Sequence, residues 1–143
     1  MGVYADRFLR ILDNYREELA KADQNRKPGS GLFGFGRGPG DDPCHEEMDK
    51  HVAELAAEMA ADETDPEETA SLVKAVFQAE QSRKWSEAAR WSVLAIQRHM
   101  LPLISRMDPK DREETAEWYE NIYPRRIRVP IQKQIIQELR KKT

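Results

Sequence analysis

The residues best suited to chemistry lie in one short run, Cys44-His45, behind Asp42-Pro43. Asp before Pro is a helix-start signal, so Asp42 is expected to cap a helix in which Cys44 is the second residue. Unpaired N–H groups at a helix start favour a thiolate, and His45 could add a positive charge. Asp41, Asp42, Glu46, Glu47 and Asp49 surround the pair and oppose that ionisation. Metal binding is the other use of this region. On a helix, ligands must stand three or four residues apart to share a face. His45 with Asp49 and Glu47 with His51 meet that rule. Each face offers one histidine and one carboxylate, so a zinc-like site needs Cys44 or His99 to join through the fold. Cys44, His45 and His99 therefore form the thiol or metal candidate. His99 itself falls on an apolar stripe, where a satisfied core histidine is the ordinary outcome.

A second constellation is basic. Arg125, Arg126 and Arg128 follow Tyr123-Pro124, and Lys133 follows Pro130, which opens another helix. Arginines beside a helix N-terminus can hold an anion or an acidic partner. Trp118, Tyr119 and Tyr123 lie just upstream and could stack on a ring. Gly29-Ser30-Gly31-Leu32-Phe33-Gly34 spells the dinucleotide fingerprint, but that motif needs a strand before it and a helix after it. Here a helical pattern precedes it and more glycine follows. Phe33 and Phe35 are unusual in such a glycine-rich run and serve as a possible hook for a partner or a pin to the core.

Charge is divided along the chain. Asp41 to Glu68 holds twelve acids against Lys50, and Arg125 to Thr143 holds seven bases against Glu138. The two blocks are expected to face each other in the fold or to select partners by charge. A homodimer fits the second case. The formal net charge of −3 disfavours nucleic acid.

The elements that must position these groups read as helices. Phe8, Ile11, Leu12, Tyr15 and Leu19 make one stripe of a helix over residues 4–22. Residues 23–43 hold six of the seven glycines and three prolines, a long break that is unusual inside a compact domain. Starts then follow at Asp42-Pro43, Asp65-Pro66, Asp108-Pro109 and Val129-Pro130, with Glu68 placed for a capping box on Asp65. The second helix carries Met48, Val52, Leu55 and Met59 inward, and the third Leu72, Val76 and Phe77. A fourth, from Trp85 or Ser86, is apolar on two sides and belongs in the middle, with a kink at Pro102. Tyr119 and Ile122 face inward on the fifth, and Ile131, Ile135 and Leu139 on the last. No segment reads as a strand, because Pro130 interrupts the alternation from Arg126 to Ile131. The small-residue pattern of Lys84 to Gln97 does not recur 34 residues on, so a repeat array is excluded.

The expected fold is all-α: a single helical bundle of five to six helices with a long Gly-rich loop after the first. The divisions are 1–22, an amphipathic helix; 23–41, a flexible loop; and 42–143, the bundle core. At 143 residues, 39% hydrophobic and 34% charged, the chain can bury a core without a metal or disulfide. A single cysteine and the absence of a signal-peptide pattern or long apolar run predict a cytoplasmic protein with no membrane span. Asp42-Pro43-Cys44-His45, Leu101-Pro102-Leu103-Ile104, Tyr123-Pro124-Arg125-Arg126 and Pro130-Ile131-Gln132-Lys133-Gln134 resemble a small bacterial all-helical family, over about residues 42–140. That resemblance implies an all-α fold and brings no activity, substrate or cofactor. The residues favour a non-enzymatic interaction or adaptor domain with a protein partner and no cofactor. The alternatives are a small-anion site at Arg125–Lys133 and a thiol or metal site at Cys44 and His45.

Overall fold

The computed structural model describes residues 2–24, 44–62 and 64–141, with the side chains of 23 and 24 excepted. Residues 25–41 of the expected Gly-rich loop, with Phe33 and Phe35, and the expected Asp42-Pro43 start lie outside the described residues, whereas 23 and 24 belong to the first helix, which runs past its expected end at 22. Among those described, every regular element is helical. They are α1 (Val3–Gln24), α2 (His45–Ala61), α3 (Pro66–Ser82), α4 (Glu87–Ala95), a 3-10 segment (Ile96–Met100), α5 (Leu101–Ile104), α6 (Pro109–Ile122), a 3-10 turn (Arg125–Ile127) and α7 (Pro130–Leu139). With Glu87–Ile104 counted as one broken helix, the described residues form six.

The apolar stripes meet in one core. Phe8, Leu12 and Tyr15 of α1 join Met48, Val52, Leu55 and Met59 of α2 and Leu72, Val76 and Phe77 of α3. Ile135 and Leu139 of α7 close it, and Ile11, Leu19, Ile122 and Ile131 pack half-buried against it. The α1 helix runs antiparallel to α2 and parallel to α3. Tyr4 donates to Asp62 and Arg7 pairs with Glu58 at the far end of α2. Val3 meets Glu68 at the start of α3, and Asp13 meets Arg83 just past its end.

Capping follows local chemistry with two departures. Asp65 Oδ1 accepts from the Glu68 N–H at 2.8 Å, and Ser86 Oγ accepts from the Ala89 N–H at 3.2 Å. The reciprocal half of the expected capping box is not formed. Glu68 Oε1 accepts instead from the Val3 N–H at 3.2 Å, so its carboxylate ties α1 to α3. Gly2 makes room for this contact, since a Cβ there would stand 2.5 Å from Glu68 Oε2 and 3.2 Å from Ser71 Cβ. Asp108 occupies the N-cap position of α6 without a side-chain cap bond; Pro109 sets the first turn by its fixed φ alone. At α7 the Val129 N–H donates to Gln132 Oε1 at 3.0 Å, a reversed cap that needs no polar side chain at 129.

The expected single helix with a kink at Pro102 is instead three pieces. Pro102 has no N–H to give the carbonyl of Arg98, and its ring crowds that oxygen. The Leu101 N–H takes the Arg98 carbonyl, a three-residue reach, and the preceding turn tightens into 3-10 geometry. Ile96 to Ile104 touches α2, α3 and α7, so this half holds the expected central position, while α4 packs on α3.

Candidate functional site

Pro124 shapes the basic segment. It ends α6 and denies the Glu120 carbonyl its ordinary helical donor four residues on. Arg128 fills the gap: its Nη2 donates to the Glu120 carbonyl at 3.4 Å and its Nε to the Tyr123 carbonyl at 2.7 Å. The Ile127 N–H closes the turn on the Pro124 carbonyl at 3.0 Å. Arg128 is half-buried and engaged, so it belongs to the scaffold and not to the open part of the expected anion set. Arg125 and Arg126 are exposed on the fixed turn, and Lys133 is exposed on the first turns of α7. Ile127 follows these two arginines with 61% of its surface exposed.

Tyr119 and Tyr123 cannot stack on a ligand as expected, because both are buried. The Tyr119 ring meets Phe77 at 5.2 Å and Tyr123 at 4.8 Å between centroids. Its hydroxyl donates to Gln97 Oε1 at 2.7 Å in the core. The Tyr123 hydroxyl donates to Glu80 Oε2 at 3.2 Å. Burial raises both phenols above their ordinary value, and Glu80 adds to the rise at Tyr123. Trp118 alone of the three is half-exposed.

Among the described residues no ion pair joins the two opposite charge blocks. Three acids of the first block are met from other elements, Glu58 by Arg7, Asp62 by Tyr4 and Asp49 by Arg98 at 2.8 Å, while Glu47 and Glu54 approach His51 of α2 itself. Arg106 caps the end of α2, donating to the carbonyls of Met59 at 2.7 Å and Ala60 at 2.6 Å. In the basic block, Arg140 pairs with Glu120 at 2.5 Å and holds that carboxyl below its ordinary value. Lys141 meets Glu138 at 3.8 Å, and the Lys141 carbonyl accepts from Arg112 at 3.2 Å. The reason is topological: α2 packs on α1, the 96–100 segment and α5, whereas α6 and α7 pack on each other.

Cys44 is half-buried and stands at the N-cap position of α2, with helical φ and ψ and no cap bond from its side chain. The helix starts at His45, so Cys44 is not the second helical residue expected. Cys44 lines a small crevice with Ile11, Tyr15, Met48 and His51. The expected His45–Asp49 pair is replaced by contacts from the 96–100 segment. His99 Nε2 lies 3.0 Å from Asp49 Oδ1, while Arg98 takes the other oxygen. His45 Nδ1 is buried without a hydrogen-bond partner among the described residues. Glu47 does approach His51, at 3.6 Å. No group of three or more His, Cys, Asp or Glu side chains among the described residues is arranged to hold a metal ion. Cys44, His45 and His99 therefore do not converge on one ligand set there.

The spacing rules missed Arg128 and Arg106 as helix caps, the Gln97–Tyr119 bond and the Asp49–His99 contact. Pro124 four residues after Glu120 was the available signal for the first. No family model matches this chain, and neither a curated protein nor a solved structure does. Among the described residues no helix is long and apolar enough to cross a membrane.

Proposed function

We propose that this chain is a non-enzymatic protein-interaction domain whose contact surface is the basic turn Arg125-Arg126-Ile127 with Lys133. One observation carries the reading: among the described residues no carboxylate pairs with Arg125, Arg126 or Lys133, and all three are exposed. The turn is held by Arg128, so it meets a partner at little ordering cost. An exposed aliphatic side chain directly after two exposed arginines suits a surface with a shallow apolar patch rimmed by carboxylates.

The test places a photo-crosslinking benzophenone side chain at position 127 in the full chain, in cells of its host. A discrete adduct is expected, and Arg125→Glu with Arg126→Glu should abolish it. An adduct that survives charge reversal, or none above background, would refute the reading. Inorganic phosphate competing at millimolar concentration would move the assignment to the small-anion alternative.

A further inference from the structure

Lys74 and Gln78 stand one turn apart on α3, and Glu114, Thr115 and Trp118 lie within about one turn of α6. Between the two helices they line a cleft of about 220 Å3. Lys74 bridges the helices at its rim, donating to Asp111 Oδ1 at 3.1 Å, so these two charges cancel. Glu114 is exposed and has no ion-pair partner among the described residues, and Glu113 and Glu117 flank it on the same helix, also exposed. Trp118 supplies a half-buried indole wall, packed against the core and 6.4 Å from the Tyr119 ring between centroids.

The volume and the charge together select an occupant. Small-molecule sites usually enclose about 300–1,000 Å3, so this space suits one long side chain better than a whole ligand. The uncompensated charge is negative, and the wall is aromatic. An acidic side chain would be repelled by Glu114, and a purely aliphatic one would leave that carboxylate unanswered. A side chain with an apolar stem and a cationic head satisfies both features. Its stem lies along the indole while the cation reaches Glu114 and gains from the ring face. Arginine fits better than lysine, because its planar guanidinium stacks and forks onto a carboxylate. We propose that the α3–α6 cleft is a docking pocket for one arginine side chain of a partner polypeptide. This site is separate from the basic turn and opposite to it in sign, so each can fail without the other.

The experiment follows the Trp118 indole N–H resonance of the full-length 15N-labelled protein, assigned with Trp118→Phe. The probe is the blocked tripeptide acetyl-Gly-Arg-Gly-amide, with lysine, leucine and glutamate in place of arginine for comparison. A saturable shift is expected with arginine, a weaker one with lysine, and none with glutamate. Glu114→Gln, an exposed change, should weaken arginine-peptide binding about fivefold. Glu113→Gln should change it less than twofold. The proposal is overturned if the Trp118 signal does not move, if the leucine or glutamate peptide moves it equally, or if Glu113→Gln weakens binding as much as Glu114→Gln.

Discussion

Removing Arg128 should destabilise the fold, whereas removing Arg125 and Arg126 together should not. All three belong to one basic run, so the contrast separates scaffold from surface. Arg128→Ala deletes a charged donor at 2.7 Å from the Tyr123 carbonyl and a long contact at 3.4 Å to the Glu120 carbonyl. Hydrogen bonds from charged groups contribute roughly 1.5–3 kcal/mol when well formed. The second bond is near the limit of useful distance and the site is half-exposed, so the total loss is about 2 kcal/mol. For a chain of this size that lowers the melting temperature by about 6 °C and moves the urea midpoint by about 1 M. Arg128→Lys keeps a cation near the C-terminal end of α6 but loses the fork, and should cost about half as much. Arg125→Ala with Arg126→Ala should stay within about 0.5 kcal/mol of the parent. Urea unfolding followed by circular dichroism at constant slope measures all three. The reasoning fails if the double variant loses as much stability as Arg128→Ala, or if Arg128→Ala unfolds like the parent.

Three further outcomes follow from the same contacts. Tyr119→Phe strips Gln97 Oε1 of its donor in the core and should cost about 1–3 kcal/mol, while adding Gln97→Met should recover much of the loss; an additive double variant would contradict this. Asp65→Ala removes the cap on Glu68 N–H and should cost about 1 kcal/mol by thermal unfolding, with no change expected from Asp108→Ala, which caps nothing with its side chain. Arg140 holds the Glu120 carboxyl below its ordinary value, so this pair stabilises the fold above the unfolded carboxyl's titration. Its contribution, under about 1 kcal/mol for a largely solvated pair, is lost as pH falls through the depressed folded value. Glu120→Gln should flatten that part of the acid unfolding curve, and high salt should shrink the difference.

The helices were legible because their signals are local. Proline after an Asp marked the starts of α3 and α6, though only Asp65 caps with its side chain, and Pro130 marked that of α7. Spacings of three and four picked the buried faces of α1, α2, α3 and α7. The internal break of the fourth helix was legible in cause but not in place, because Pro102 acts on the carbonyl four residues earlier and the strain spreads back to Ile96. The site was less legible. Grouping Arg128 with Arg125 and Arg126 reads proximity in sequence, whereas its side chain is recruited by carbonyls that Pro124 leaves bare. Pairing His45 with Asp49 obeys helical spacing, yet Arg98 and His99 arrive from another element and claim that carboxylate. The α3–α6 cleft joins residues about 40 apart in sequence, and no periodicity announces such a meeting.

The long reach of α1 bears on the order of folding. Its ties run to Glu58, Asp62, Glu68 and Arg83, each more than 50 residues away, while α6 and α7 are neighbours in sequence. Closing a loop of about 60 residues costs about 1.5 kcal/mol more than closing one of 10. On loop entropy alone, α1 is expected to dock after α6 and α7 have met. Its Tyr15 ring rests 5.9 Å from the ring of Trp85, at the junction after α3. With Trp91→Phe and Trp118→Phe to leave that indole as the one emitter, its fluorescence should lag the helical signal in refolding; a coincident signal would refute the late docking.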